Sequence, residues 1–263
     1  ERVRQIQIVV LLMLPLAAGC SNPLVNMYAF NPEPLDASVP FVNTDEIKEI
    51  SIETVDGEQL QAFFYPRPAS RCVLLYLHGN GGSAYQRAEK SIPFSQLGCN
   101  LLLLSYRGYG KSSGSPTEHG VYRDAQAALA YLAARGFEAT DTFVLGSSLG
   151  SAIAVDVAQN RDLGGLILVA PFSSGRELAL AQGMGFALWF IGSPFDSLAK
   201  LPNVRCPVLV VHGDQDRVVP PAQGHKLFDA YTGDKKMVLL EGAGHNDIMQ
   251  TQRDAYLRAI GEV

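Results

Sequence analysis

From residue 47 onward the apolar positions of the chain fall into short runs separated by amphipathic stretches. Residues 47–54 and 60–65 are strand-like segments on either side of Asp56-Gly57, a dipeptide that favours a tight hairpin turn. Six apolar runs follow, at 73–77, 101–104, 143–145, 166–169, 208–211 and 237–240. Runs without polar alternation predict strands covered on both faces, as in a parallel sheet. Residues 121–134, 151–159 and 221–231 carry helical patterns between them. An antiparallel opening leading into βα repeats implies an α/β fold, a mostly parallel central sheet of about eight strands flanked by helices. Sheets of this kind place their chemistry at the carboxyl ends of the strands.

Two stretches break the alternation. Residues 171–205 include Leu178, Leu180, Met184, Phe186, Leu188, Trp189, Phe190 and Ile191. An apolar insertion over strand ends reads as a small lid, with an ordinary crossover helix as the plainer alternative. At the other end, Arg2 and Arg4 precede a largely apolar stretch, 6–16, that ends in Ala17-Ala18-Gly19-Cys20. The run is short for a membrane span and has the form of a signal-peptide core. With its small residues before Cys20 it resembles a lipoprotein signal, in which 1–19 is removed and Cys20 becomes the lipidated mature N-terminus. An amphipathic helix with a buried cysteine, or an uncleaved anchor, is the alternative. The chain begins at Glu1 without Met, so its true start is expected to be upstream or altered. Residues 20–44 contain Pro23, Pro32, Pro34 and Pro40, a density that argues against regular helix and for a tether or wrapping arm. Extended at ~3.3 Å per residue, the stretch after Cys20 would reach about 80 Å. Ser21 carries none of the Asp-type signal that retains bacterial lipoproteins at the inner membrane. The expected location is therefore the bacterial cell envelope, lipid-anchored on Cys20 and facing the periplasm, at the outer membrane rather than the inner.

Composition narrows this little further. With 263 residues, 47% of them hydrophobic and 18% charged, the chain can fill one core, and 45–263 reads as a single domain. A net charge of −5 without a basic stripe argues against nucleic acid as a partner. With Cys20 lipidated, Cys72, Cys99 and Cys206 remain, each at the start of an apolar run. An odd number speaks against a disulfide framework, and the three are expected as small buried hydrophobes. No metal-ligand cluster is visible, so no metal and no cofactor are expected.

The sequence holds two G-x-S-x-G matches, Gly146-Ser147-Ser148-Leu149-Gly150 and Gly110-Lys111-Ser112-Ser113-Gly114. The motif places a serine on a strained strand-to-helix turn. Ser148 follows an apolar run and opens a helical pattern, whereas Ser112 lies in a Gly/Ser/Pro loop with no helix directly after it. Ser148 is thus the candidate nucleophile. A serine hydroxyl needs an aligned base, itself oriented by a carboxylate. Of the histidines beyond residue 216, His225 falls within a helical pattern, where a surface role is the plain expectation. His245 lies in Gly242-Ala243-Gly244-His245-Asn246-Asp247, just past the last apolar run, and is the candidate base. Asp214 and Asp216 both follow the run 208–211, and Asp214 has the alternative task of closing the turn. Two backbone N–H groups are needed for a tetrahedral oxyanion. Leu149 after the nucleophile supplies one, and Asn80 in the loop His78-Gly79-Asn80-Gly81-Gly82 is the candidate for the other. That loop also loosely matches a dinucleotide fingerprint, but the next run ends in Ser105-Tyr106-Arg107 where the fingerprint requires an acid.

Taken together, Tyr76-Leu-His-Gly-Asn-Gly-Gly, Ser105-Tyr-Arg-Gly-Tyr-Gly-Lys-Ser, G-S-S-L-G-S, H-G-D-Q-D-R-V-V-P and G-A-G-H-N-D resemble the α/β-hydrolase family, nearest its short-lidded, depalmitoylase-like and serine-aminopeptidase-like branch. The resemblance runs from about Ile47 to the C-terminus. It assigns the acid to Asp216, the second Asp of H-G-x-x-D, and an oxyanion amide to Asn80. It implies a serine hydrolase, in a family whose substrates range over esters, thioesters, amides and lipids, and so fixes mechanism better than substrate; the expected substrate is a small-molecule acyl ester or thioester. A peptidase or amidase of the same fold, or a binding lipoprotein without turnover, is the alternative.

Overall fold

The computed structural model describes residues 22–35, 46–88, 91–184 and 192–263. Strands β1 (Lys48–Glu53) and β2 (Gln59–Tyr65) form the expected hairpin, in register from Lys48 opposite Phe64 to Glu53 opposite Gln59. Its turn closes through Gly57 N–H donating to Thr54 O at 3.0 Å, with Gly57 at φ 87°, where a Cβ would be strained. The remaining strands are β3 (Val73–Leu77), β4 (Asn100–Leu104), β5 (Thr142–Ser147), β6 (Gly165–Val169), β7 (Val208–Gly213) and β8 (Lys235–Leu240). They join one eight-stranded sheet in the order β1-β2-β4-β3-β5-β6-β7-β8. β2 runs antiparallel to β1 and β4, and all other pairs are parallel.

The lack of polar alternation now has its cause. Leu101 to Leu104 are all fully buried, and they divide between two cores. Leu102 and Leu104 pack in the core that holds the helices Glu118–Ala134 and Leu149–Ala158; Leu101 and Leu103 pack in the one holding Tyr256, Ala259 and Ile260 of the C-terminal helix. Side chains of a strand alternate in direction, so a strand with helices on both faces is apolar throughout. Each such leucine contributes about 1.5–3 kcal/mol of burial.

Two expectations are corrected. Cys72 and Cys99 are not separate buried thiols but form a disulfide. Val73 of β3 pairs with Asn100 of β4, which sets the residues just before them side by side. An odd cysteine count never excluded one bridge plus one thiol. Cys206 is the buried hydrophobe expected, its thiol pushed up to about 11 by burial. Secondly, the proline-rich N-terminal stretch is not wholly irregular, since Pro23–Ala29 is a helix. Pro23 sits in its first turn, where the missing N–H costs nothing, and Asn22 Oδ1 caps the Leu24 N–H at 3.0 Å. Val25 and Phe30 are buried, so residues 22–35 wrap the body and do not form a free tether. The expected signal segment and Cys20 lie outside the described residues.

Of the insertion 171–205, the helices Gly175–Ala181 and Ser197–Lys200 are described, while Phe186, Leu188, Trp189, Phe190 and Ile191 lie outside. Among the described residues no helix is long and apolar enough to cross a membrane.

The bridge closes a loop spanning 27 positions, for which chain entropy predicts about 3.5 kcal/mol of stabilisation. Dithiothreitol should lower the Tm of the native protein and leave that of a Cys72→Ala/Cys99→Ala variant unchanged. An equal response of both to reductant would show that the bridge does not form.

Candidate active site

β5 ends at Ser147, and the helix Leu149–Ala158 starts two residues later. Ser148 takes the turn alone, at φ 53° and ψ −116°, a conformation that L-residues adopt only under constraint. The flanking glycines make it feasible. A Cβ on Gly146 would stand 2.2 Å from the Gly150 carbonyl oxygen, and one on Gly150 would stand 2.1 Å from that of Leu77. Both distances are impossible contacts. Helix and strand therefore close over β3 only because neither position carries a side chain. Ser148 N–H donates to Val169 O of β6 at 2.8 Å, which holds the turn from its other side.

The half-buried His245 ring reaches this serine from the loop after β8. His245 Nε2 lies 3.0 Å from Ser148 Oγ, and Nδ1 lies 2.7 Å from Asp216 Oδ2. The carboxylate can only accept at Nδ1, so Nδ1 carries the proton and Nε2 is free to accept from the serine hydroxyl. Asp216 is buried beyond β7. Its Oδ1 accepts the Val218 and Val219 N–H groups at 2.9 and 2.8 Å. Burial pushes this carboxyl up, but hydrogen bonds from His212, His245 and the Val219 amide outweigh burial and hold it well below the ordinary carboxylate range.

The other candidates fall where their plain readings put them. Asp214 is exposed and its Oδ1 accepts the Gly242 N–H at 2.7 Å, tying the loop of Asp216 to the loop of His245. His225 is exposed on the helix Pro221–Ala230. Ser112 Oγ donates to Ser105 O at 3.0 Å and accepts the Gln61 N–H at 2.9 Å, so it staples its loop to β2. Arg107 beneath that loop is held by the buried Asp124 at 2.8 Å and by Asp56 of the hairpin turn at 2.9 Å.

Leu149 opens the helix after Ser148, so its N–H has no partner one helical turn back. Gly79 packs against Ser148: its missing Cβ would lie 3.5 Å from Ser148 Cβ, an ordinary contact. This brings the exposed Asn80 beside the serine. The loop's carbonyls are held in succession. Tyr106 Oη donates to His78 O at 2.8 Å, His78 Nδ1 to Gly79 O at 2.7 Å, and Tyr109 Oη to Asn80 O at 2.7 Å. Burial, reinforced by the Arg87 charge, pushes the His78 imidazole down to about 3, so it stays a neutral donor. Sequence reasoning missed these tyrosines and His212. His212 is fully buried, donates from Nε2 to Val219 O at 2.9 Å and stands 3.4 Å from Asp216 Oδ2. The one signal for it was a histidine closing an apolar strand four residues before the acid.

Comparison with known proteins agrees with this frame. A family model described as serine aminopeptidase, S33, matches residues 68–200 and 196–252. The chain belongs to the α/β-hydrolase family. It is 31% identical over 207 residues to human alpha/beta hydrolase domain-containing protein 17B, covering 78% of this chain and 71% of that protein. An uncharacterized protein of Mycobacterium tuberculosis is 33% identical over 204 residues, covering 76% and 73%. Among solved structures, a Pyrococcus furiosus esterase superposes with a TM-score of 0.73 at 18% identity over 89% of this chain and 96% of that one. This last likeness is one of fold.

Two outcomes follow for the carboxylates. Asp216→Asn should lower kcat by roughly three to four orders of magnitude, because an amide cannot stabilise an imidazolium. Asp214→Asn, which keeps an oxygen for the Gly242 N–H, should cost far less; the reverse ranking would move the acid to Asp214. The depressed Asp216 carboxyl also adds stability that is complete above the usual carboxylate value of about 4 and is lost as pH falls towards its native value. Chemical denaturation at pH 4 and pH 2 should therefore show a smaller acid-induced loss in Asp216→Asn than in the native protein.

Proposed function

We propose that the protein is a serine hydrolase that cleaves carboxylic ester or thioester bonds through an acyl-enzyme on Ser148. The observation that supports this most is the unbroken chain from Ser148 Oγ to His245 to Asp216, at 3.0 and 2.7 Å, on a strained turn. In this reading Ser148 Oγ attacks the acyl carbon while His245 Nε2 takes its proton. The resulting oxyanion is met by the Leu149 and Asn80 N–H groups. The C–O or C–S bond then breaks, and His245 returns the proton to the departing alcohol or thiol. A water molecule, deprotonated by the same imidazole, attacks the acyl-enzyme and releases the acid and free Ser148.

The family description names an aminopeptidase, so peptide cleavage is the second reading. An aminopeptidase needs a carboxylate for the α-ammonium group of its substrate. The acidic residues of 171–205 are Glu177 and Asp196. Glu177 is paired with Lys226 at 3.0 Å, and Asp196 caps a helix through the Ala199 N–H at 3.0 Å. Neither is free for that task, which favours the ester or thioester. The apolar side chains of 171–205 then act as the lid over an apolar acyl group.

Lipidation of Cys20 and an envelope location belong to the same proposal. The helix Pro23–Ala29 starts three residues after Cys20 and leads directly to the Asn80 loop, with Met27 and Tyr28 exposed on it. A lipid on Cys20 would hold the catalytic face close to the bilayer instead of trailing it at the 80 Å of an extended tether.

A fluorophosphonate probe should label the native protein and Ser112→Ala but not Ser148→Ala, and ester turnover should fall by several orders of magnitude only in the last. Equal turnover by the native protein and Ser148→Ala would refute the mechanism. Cys20→Ala should leave the membrane fraction; its retention there would remove the anchor. Across a series of esters, kcat/KM should rise from acetyl to medium-chain acyl groups, since each buried methylene is worth about 0.8 kcal/mol. A preference for acetyl would remove the lid argument.

A further inference from the structure

The family model begins at residue 68, so the N-terminal arm lies outside it. Beyond its helix the arm runs over the catalytic face as a strap. Asn31 N–H donates to Asn80 O at 3.1 Å, and Asn31 bridges Gly81 in parallel fashion. Three residues on, Pro34 makes a second parallel bridge to Gly110. Gly110 N–H donates to Glu33 O at 3.1 Å, and Leu35 N–H donates to Gly110 O at 2.8 Å. Glu33 also takes a hydrogen bond from Gln86, whose own Oε1 accepts the Ser83 N–H at 2.5 Å. At the start of the strap the buried Phe30 ring meets Phe195 edge-on at 5.9 Å, in the returning end of the insertion. The strap is thus tied to the Asn80 loop, to the loop bearing Tyr109 and to the insertion.

We infer that residues 30–35 are a positioning element for the oxyanion hole, with the Asn31 backbone N–H fixing the Asn80 peptide. This rests on the reading of Asn80 as an oxyanion donor. The Asn80 N–H belongs to the planar unit whose carbonyl is Gly79 O, and His78 Nδ1 holds that carbonyl. The unit before it is held at His78 O by Tyr106, and the unit after it at Asn80 O by Tyr109 and Asn31. With neighbours pinned on both sides, the Asn80 N–H has little freedom to turn. Catalytic donors act through such preorganisation, because no reorientation is then needed as charge develops. Two of the three neighbour pins come from tyrosines inside the family model, and the third comes from the strap.

The test separates the backbone donor from the side chain. Phe30 lies at φ −119° and ψ 131°, the backbone that a residue before proline prefers. Asn31→Pro therefore removes one N–H and leaves the preceding backbone unstrained, whereas Asn31→Ala keeps the donor. Asn31→Pro should lower kcat for a chromogenic ester by about tenfold, and Asn31→Pro/Tyr109→Phe by about a hundredfold, as expected for a misplaced oxyanion donor. KM should be roughly unchanged in both, Asn31→Ala should match the native protein, and the Tm of Asn31→Pro should stay close to native. A native kcat in the double variant, while Ser148→Ala is dead, would overturn the role of the strap and leave the mechanism standing. A loss that appears equally in Asn31→Ala, or only together with a lowered Tm, would also overturn it. Activity surviving in Ser148→Ala would bring down the underlying reading instead.

Discussion

Two missing Cβ atoms govern this active site. Gly150 lets the helix after Ser148 close on the Leu77 carbonyl of β3, and Gly146 lets β5 pass beneath that helix. Ser148 is forced between them into a positive-φ backbone, a conformation worth of order 1–3 kcal/mol of strain. The two cores flanking the sheet supply stability enough to hold it. Everything chemical follows from the resulting placement. The hydroxyl stands at the carboxyl edge of the sheet, the Leu149 N–H at the start of a helix, and Gly79 against the serine. A side chain at either glycine would separate the serine from its helix, and no rearrangement of His245 could compensate.

The His245 side depends on a second lacing. Gly213 would bring a Cβ within 2.3 Å of the Ala243 carbonyl oxygen, so its absence lets the loops after β7 and β8 touch. Gln215 N–H donates to Ala243 O at 3.0 Å, and Asp214 takes the Gly242 N–H. Asp216 and His245 thus ride on one cross-linked unit. The distance between Asp216 and His245 is set by backbone contacts and not by the carboxylate–imidazole bond alone.

The sheet was legible because its strands are short apolar runs of a length that fits only a strand between turn signals. Asp216 was distinguishable from Asp214 only through the family pattern, since both follow the same strand. What stayed hidden has a physical reason in each case. The Cys72–Cys99 bridge depends on strand register, which no cysteine count contains. The helix Pro23–Ala29 was masked by proline density, although Pro23 occupies a position where proline is harmless. Tyr106, Tyr109 and His212 read as ordinary core residues, and their hydrogen bonds arise only once distant loops converge. The strap was least legible of all, because it acts through backbone groups that leave no trace in side-chain chemistry.

In the proposed mechanism the acyl group passes covalently through Ser148. Rapid acid quench of the protein during turnover of a slow ester, followed by peptide mass analysis, tests it most directly. The peptide containing Ser148 should gain the mass of the acyl group, and the adduct should decay at the rate of turnover. An adduct on a peptide without Ser148, or turnover without any adduct under conditions where product release of the alcohol outruns that of the acid, would contradict it.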